Sequence, residues 1–140
     1  MIPANELRIG NKILSCFDRI ETVRFILGHE GYKERTDVNV IYKHLIGVEE
    51  CGNQYNLGEI KPVEITDARL LTAGFTQSHN KFSFYRTSEW FYIKKYNNPL
   101  YVLVMDEDRE LEIELKSFHQ IQNIFFAIQQ KELPLPPNFV

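Results

Sequence analysis

Hydrophobic and polar positions change period half-way through Leu111 to Gln130. Leu111, Ile113 and Leu115 alternate with Glu110, Glu112, Glu114 and Lys116. A period of two predicts a strand with one buried face. From Phe118 the spacing lengthens to three and four: Phe118, Ile121, Phe125 and Ile128, with Ile124 beside them, predict the apolar stripe of a helix. Ser117 stands at the N-cap position, where a hydroxyl can accept from a free amide of the first turn. The opposite face carries His119, Gln120, Gln122, Asn123, Gln129 and Gln130, with no Asp, Glu, Lys or Arg before Lys131.

The same reading applied from the N-terminus gives short strands. Lys12 to Cys16, Ile20 to Leu27 and Asn39 to Leu45 are expected strands, the last running on with a kink through Gly47 to Glu49. Gln54 to Leu57 and Pro62 to Ile65 are candidate closing strands. In the second strand Val23, Phe25 and Leu27 share one face, and Thr22, Arg24 and Ile26 the other. Gly28-His29-Glu30-Gly31 and Gly52-Asn53 are turns, and Gly10 marks a tight turn or close backbone approach. Short strands separated by such turns predict a small barrel or strongly curled sheet. The run Leu7 to Ile13, LRIGNKI, is similar to the opening strand of SH3-like barrels.

Thr66-Asp67 caps a short helix, Ala68 to Ala73, ended by Gly74. Thr76 to Lys81 is an expected polar loop; Phe82 to Arg86, Trp90 to Tyr96 and Leu100 to Met105 are expected strands. Asp106 to Arg109 turns the chain into the last strand. The expected fold is therefore α+β: an SH3-like β-barrel over residues 1–65, a three- or four-stranded antiparallel meander flanked by two helices over 66–132, and an extended tail over 133–140 that is either free or laid over the body.

Composition narrows the function classes. With 140 residues, 44% hydrophobic and 25% charged, the chain can bury an ordinary core. Its net charge of −3 is spread evenly: residues 1–65 hold eight basic and ten acidic side chains, and 66–140 hold eight and nine. No whole-protein attraction to nucleic acid follows from that balance. Cys16 and Cys51 have no metal spacing; buried reduced thiols are expected, with a disulfide between them left open. Neither a secretion signal nor a membrane-length apolar run is read, so a cytoplasmic protein is expected.

Three segments, NELRIGN at the start, IKPVEITDARLLTAGF in the middle and FHQIQNIFFAIQQKEL near the end, resemble a group of small uncharacterised proteins encoded by phages and mobile elements of Bacteroides-type bacteria. The resemblance covers about a third of the chain and includes no catalytic motif. The sequence departs from the group at Gln129-Gln130, where the group has Thr-Gly. The resemblance implies an accessory protein acting inside a host cell.

No phosphate-cradling glycine loop, nucleophile elbow or His/Cys metal spacing is present, so neither an enzyme nor a cofactor is expected. His29, His44, His79 and His119 are scattered, and Asp106-Glu107-Asp108 lacks the glycine and distal glutamate of a calcium loop. Binding surfaces remain. A helix face of His119, Gln122 and Asn123 is compatible with burial, since amides cost less to desolvate than charges. The first part of the chain, a second copy or a host protein could cover it. The meander gathers aromatic residues between Phe82 and Tyr101, interleaved with Lys81, Arg86, Lys94 and Lys95. Trp90, Tyr92, Lys94 and Tyr96 fall on one strand face. Aromatic rings flanked by cations suit single-stranded nucleic acid, or else build a core with lysines blunting an edge. The leading expectation is a non-catalytic protein that binds a host macromolecule, as an inhibitor of host defence or a modulator of a host enzyme. Single-stranded nucleic-acid binding is the alternative.

Overall fold

The computed structural model describes residues 2, 6–27, 33–35, 40–42, 45–48, 54–84, 91–97, 100–105 and 111–140. The chain forms two compact units, Met1–Val63 and Glu64–Val140. The C-terminal tail belongs to the second unit. Strands and helices combine as an α+β protein.

In the first unit, β1 (Lys12–Leu14), β2 (Ile20–Leu27), β5 (Leu45–Val48), β6 (Gln54–Asn56) and β7 (Lys61–Pro62) form an antiparallel sheet. The sheet order is β6-β5-β2-β1-β7, and β3 (Lys33–Arg35) pairs separately with β4 (Val40–Tyr42). The single strand expected over 39–45 is thus divided between two sheets, and β3 was not foreseen. The Gly28–Gly31 and Gly52-Asn53 turns lie outside the described residues, as does Cys51. Cys16 is exposed rather than buried. Gly10 takes φ 92° and donates its amide to the Val23 carbonyl at 2.8 Å, a left-handed close approach that favours glycine.

Alternation predicts Val23 and Ile26 on opposite faces of β2, yet both meet the core formed by Ile2, Leu7, Ile13, Ile46, Tyr55 and Ile60. The register slips between Val23 and Phe25, and such a bulge inserts one residue and reverses the parity beyond it. β6 and β7 are the two edges and do not pair, so the described strands form an open sheet rather than the closed barrel expected.

The second unit begins with α1 (Asp67–Thr72). Thr66 caps it by accepting from the Arg69 amide at 3.2 Å, and Gly74 leaves it at φ 96°. Five antiparallel strands follow in sequence order: β8 (Phe75–Ser78), β9 (Lys81–Phe84), β10 (Phe91–Tyr96), β11 (Leu100–Met105) and β12 (Leu111–Leu115). The expected polar loop at 76–81 is largely β8 and its turn. Ser78 pairs with Lys81, and His79 takes the left-handed conformation, φ 56°, that a tight reversal requires. Only Phe75 of β8 is buried, so this edge strand leaves no apolar alternation in the sequence.

The helix α2 (Phe118–Gln129) starts where Gln120 reaches back, its Oε1 accepting from the Lys116 and Ser117 amides at 2.8 and 3.3 Å. The helix packs on the sheet face that carries Phe75, Phe82 and Phe84. Phe125 meets Phe84 edge-on at 4.9 Å between centroids, and Phe84 meets Phe75 at 5.4 Å. The tail folds back over the body, with Leu133 and Phe139 buried and Phe139 stacked on Phe118 at 4.7 Å.

The helix ends at Gln130, whose φ of 55° places a side-chain-bearing residue in the left-handed region usual for glycine. Gln130→Gly should therefore stabilise the protein by about 1 kcal/mol, read as a raised midpoint in urea unfolding. Phe139→Ala should cost roughly 3 kcal/mol in the same measurement. A cost near zero would mean that the tail is not part of the second unit's core.

Candidate functional site

Pairing register assigns every residue of the meander to one of two faces. Ile93 pairs with Leu103 and Phe82, and Leu103 with Ile113, so these four share the face against which α2 packs. Tyr92, Lys94 and Tyr96 therefore point the other way, together with Lys81, Val102, Val104, Glu112 and Glu114. The tyrosines and Lys94 on this outer face are half-buried, and Lys81, Glu112 and Glu114 are exposed.

Contacts along the outer face form a connected surface. Lys81 and Lys94 sit directly opposite each other in the register, which would repel if both stood upright. They diverge instead: Lys81 Nζ lies 4.5 Å from the centre of the Tyr92 ring, and Lys94 Nζ lies 4.8 Å from that of Tyr96. Tyr96 leans across β11 to β12, where its hydroxyl donates to Glu112 Oε1 at 2.6 Å. That bond holds the Tyr96 hydroxyl above its ordinary pKa, and the Tyr96 hydroxyl in turn raises that of Lys94. Val102 and Val104 are only 5% and 4% exposed although they belong to the outer face. Their strand neighbours are Lys94 and Glu114, and Tyr92 and Glu112, whose long stems and rings can cover them.

Lys95 does not join this surface. Strand parity turns it to the helical side, where its ammonium meets Asp67 Oδ2 at 2.7 Å while the Tyr101 hydroxyl donates to Asp67 Oδ1 at 2.5 Å. The cluster ties the first turn of α1 to β10 and β11. The Lys95 bond, and secondarily the Tyr101 bond, hold the Asp67 carboxyl below its ordinary pKa, while burial and the Asp67 bond push Tyr101 up. Lys94 and Lys95, both candidate binding residues, thus lie on opposite faces of β10. The same parity, applied to Lys95 after Ile93, points to this separation in the sequence.

The amide face of α2 is divided between buried and accessible residues. His119 and Gln122 are each 2% exposed, so the chain itself covers them and they offer no contact surface. Gln120, Asn123 and Gln129 are half-buried and Gln130 is exposed, while Ile128, assigned to the buried stripe, is 36% exposed. The buried arc runs through Phe118, His119, Ile121, Gln122 and Phe125. The helix is thus rotated from the apolar stripe, and the Phe118–Phe139 stack shows that the tail also takes up part of its surface. Trp90 lies outside the described residues. Glu112 and Tyr101 were not singled out; Glu112 reads as a solvated strand position until its distance from Tyr96 is known.

Among the described residues, no three His, Cys, Asp or Glu side chains converge as a metal site would need. No described helix is long and apolar enough to cross a membrane. Comparison with protein-family models, with curated proteins and with solved structures gives no match.

The Asp67 anchor has a defined pH signature. Because its folded-state pKa lies below the unfolded value of about 3.9, the stabilisation is complete above that value and disappears as pH falls through the folded one. Asp67→Asn should therefore destabilise the protein near neutrality, and its deficit relative to the native chain should shrink as the solution is acidified toward pH ~3. Unfolding midpoints measured along a pH series check this. A deficit independent of pH would show that charge on Asp67 contributes nothing.

Proposed function

We propose that this is a non-catalytic accessory protein of a phage or mobile element that binds a host protein inside the cell, with the outer face of the five-stranded sheet as its contact surface. The observation that carries the reading is the network Lys81–Tyr92 and Lys94–Tyr96–Glu112, which holds two tyrosines and two lysines on the sheet face away from α2. Tyrosine is enriched among the residues that dominate protein interfaces, and side chains ordered before binding lose less entropy on association. The phage origin is supported by the three sequence segments described above. The reading of the first unit as SH3-like is supported by the return of β7 to β1 and by the β2 bulge, both of which curl a sheet toward closure.

Charge on the outer face weighs against the nucleic-acid alternative. Lys81 and Lys94 are balanced by Glu112 and Glu114 on the same face, and each lysine occupies the ring face that a nucleobase would need. A pull-down of the tagged protein from host lysate, with and without nuclease, tests the assignment beside a Tyr92→Ala/Lys94→Ala variant. The expected result is a discrete host protein retained after nuclease by the native chain and lost from the variant. Equal retention by both would remove the outer face from the function. Loss of everything on nuclease treatment would favour single-stranded nucleic acid.

A further inference from the structure

The strand β12 is the edge of its sheet, and among the described residues neither a further strand nor a backbone hydrogen bond covers its outer side. Its pairing with β11 is regular over all five residues, without a bulge. It contains no proline, and no lysine projects from it. Bulges, proline and lysine are devices by which natural edges refuse a further strand; the charges β12 does carry are glutamates, which oppose an acidic neighbour and admit a basic one. It has instead an exposed apolar residue, Ile113, 42% accessible on the helical side, and exposed glutamates at 112 and 114 on the outer side. The opposite edge, β8, shows only Thr76, Gln77 and Ser78 to solvent.

We infer that β12 accepts an extended, basic segment of a partner protein as a sixth strand, with alternate Lys or Arg side chains beside Glu112 and Glu114 and an apolar side chain beside Ile113. The inference rests on the reading of the chain as a protein-binding module, and adds where the partner docks and what it looks like. Strand addition supplies main-chain hydrogen bonds, and the alternating side chains supply specificity. Register and charge select the occupant. An antiparallel second copy centred on Ile113 would set Glu112 against Glu114 of its neighbour, and like charges directly opposite destabilise a pair. A strand reading basic–apolar–basic satisfies both faces at once. Nucleic acid is repelled by the same two carboxylates.

The test uses the full chain and three fluorescein-labelled peptides followed by anisotropy: KVKVKVK, EVEVEVE and KVKPKVK. The basic peptide should bind about tenfold more tightly than the acidic one, the size expected of two charged cross-strand pairs. Proline removes a ladder donor, so KVKPKVK should bind clearly more weakly. Glu112→Lys/Glu114→Lys should reverse the charge preference. If that variant fails to fold, as judged by circular dichroism, Glu112→Gln/Glu114→Gln should abolish the preference. Amide exchange of residues 111–115 should slow on binding. Indifference to proline, or a preference unchanged by the charge variants, would overturn the inference. A host protein still retained in the pull-down by those variants would leave the wider reading standing without it, whereas no retained protein at all would end that reading as well.

Discussion

One twelve-residue helix rests on a five-stranded antiparallel sheet, and a single helix can cover only one of the sheet's faces. Most of the second unit follows from that constraint. Residues at one strand parity enter the aromatic core under α2, where Phe84, Phe125, Phe75 and Phe82 lie buried or half-buried. Residues at the other parity must make a surface without a helix over it. The central strand β11 is apolar at both parities, so its Val102 and Val104 lie buried on the face that α2 does not cover. Tyr96 reaches across that face from β10 to Glu112 on β12. The polar network and the buried valines therefore share one face of the sheet, and the network is the solution its polar residues find there.

That solution also shapes the surface. Lysines opposed in the register turn away from each other onto separate tyrosines, and the glutamates of β12 balance them. The resulting face is aromatic, ordered and close to neutral, which fits a protein partner better than a polyanion. The helical side is secured independently, since Asp67 holds both Lys95 and Tyr101 and so fastens α1 to the two inner strands. Substitutions on the outer face can be separated from those that loosen the unit, because the two sets of residues alternate along β10.

Much of this organisation was legible in the chain. The eight-residue alternation of Ile20 to Leu27, the Thr66 cap with Gly74 behind it, the meander order and the final strand-to-helix change of period are all local patterns. Strand parity also separated Tyr92, Lys94 and Tyr96 from Phe91 and Ile93. Elements without a local signature were not legible. β8 has one buried residue and reads as loop, because its hydrogen bonds come from β9 and not from its own side chains.

Periodicity determined which residues alternate and where helices start and stop, since backbone geometry ties those features to neighbours a few positions away. It did not determine the phase of a face or the far partner of a side chain. A bulge between Val23 and Phe25 put Ile26 on the core side. A returning tail with Phe139 on Phe118 accompanies the rotation of α2 that buried His119 and Gln122. Asp67 found Lys95 and Tyr101 across 28 and 34 residues of chain. Such outcomes belong to tertiary structure because burial is a property of what packs against a face, and distant segments decide that.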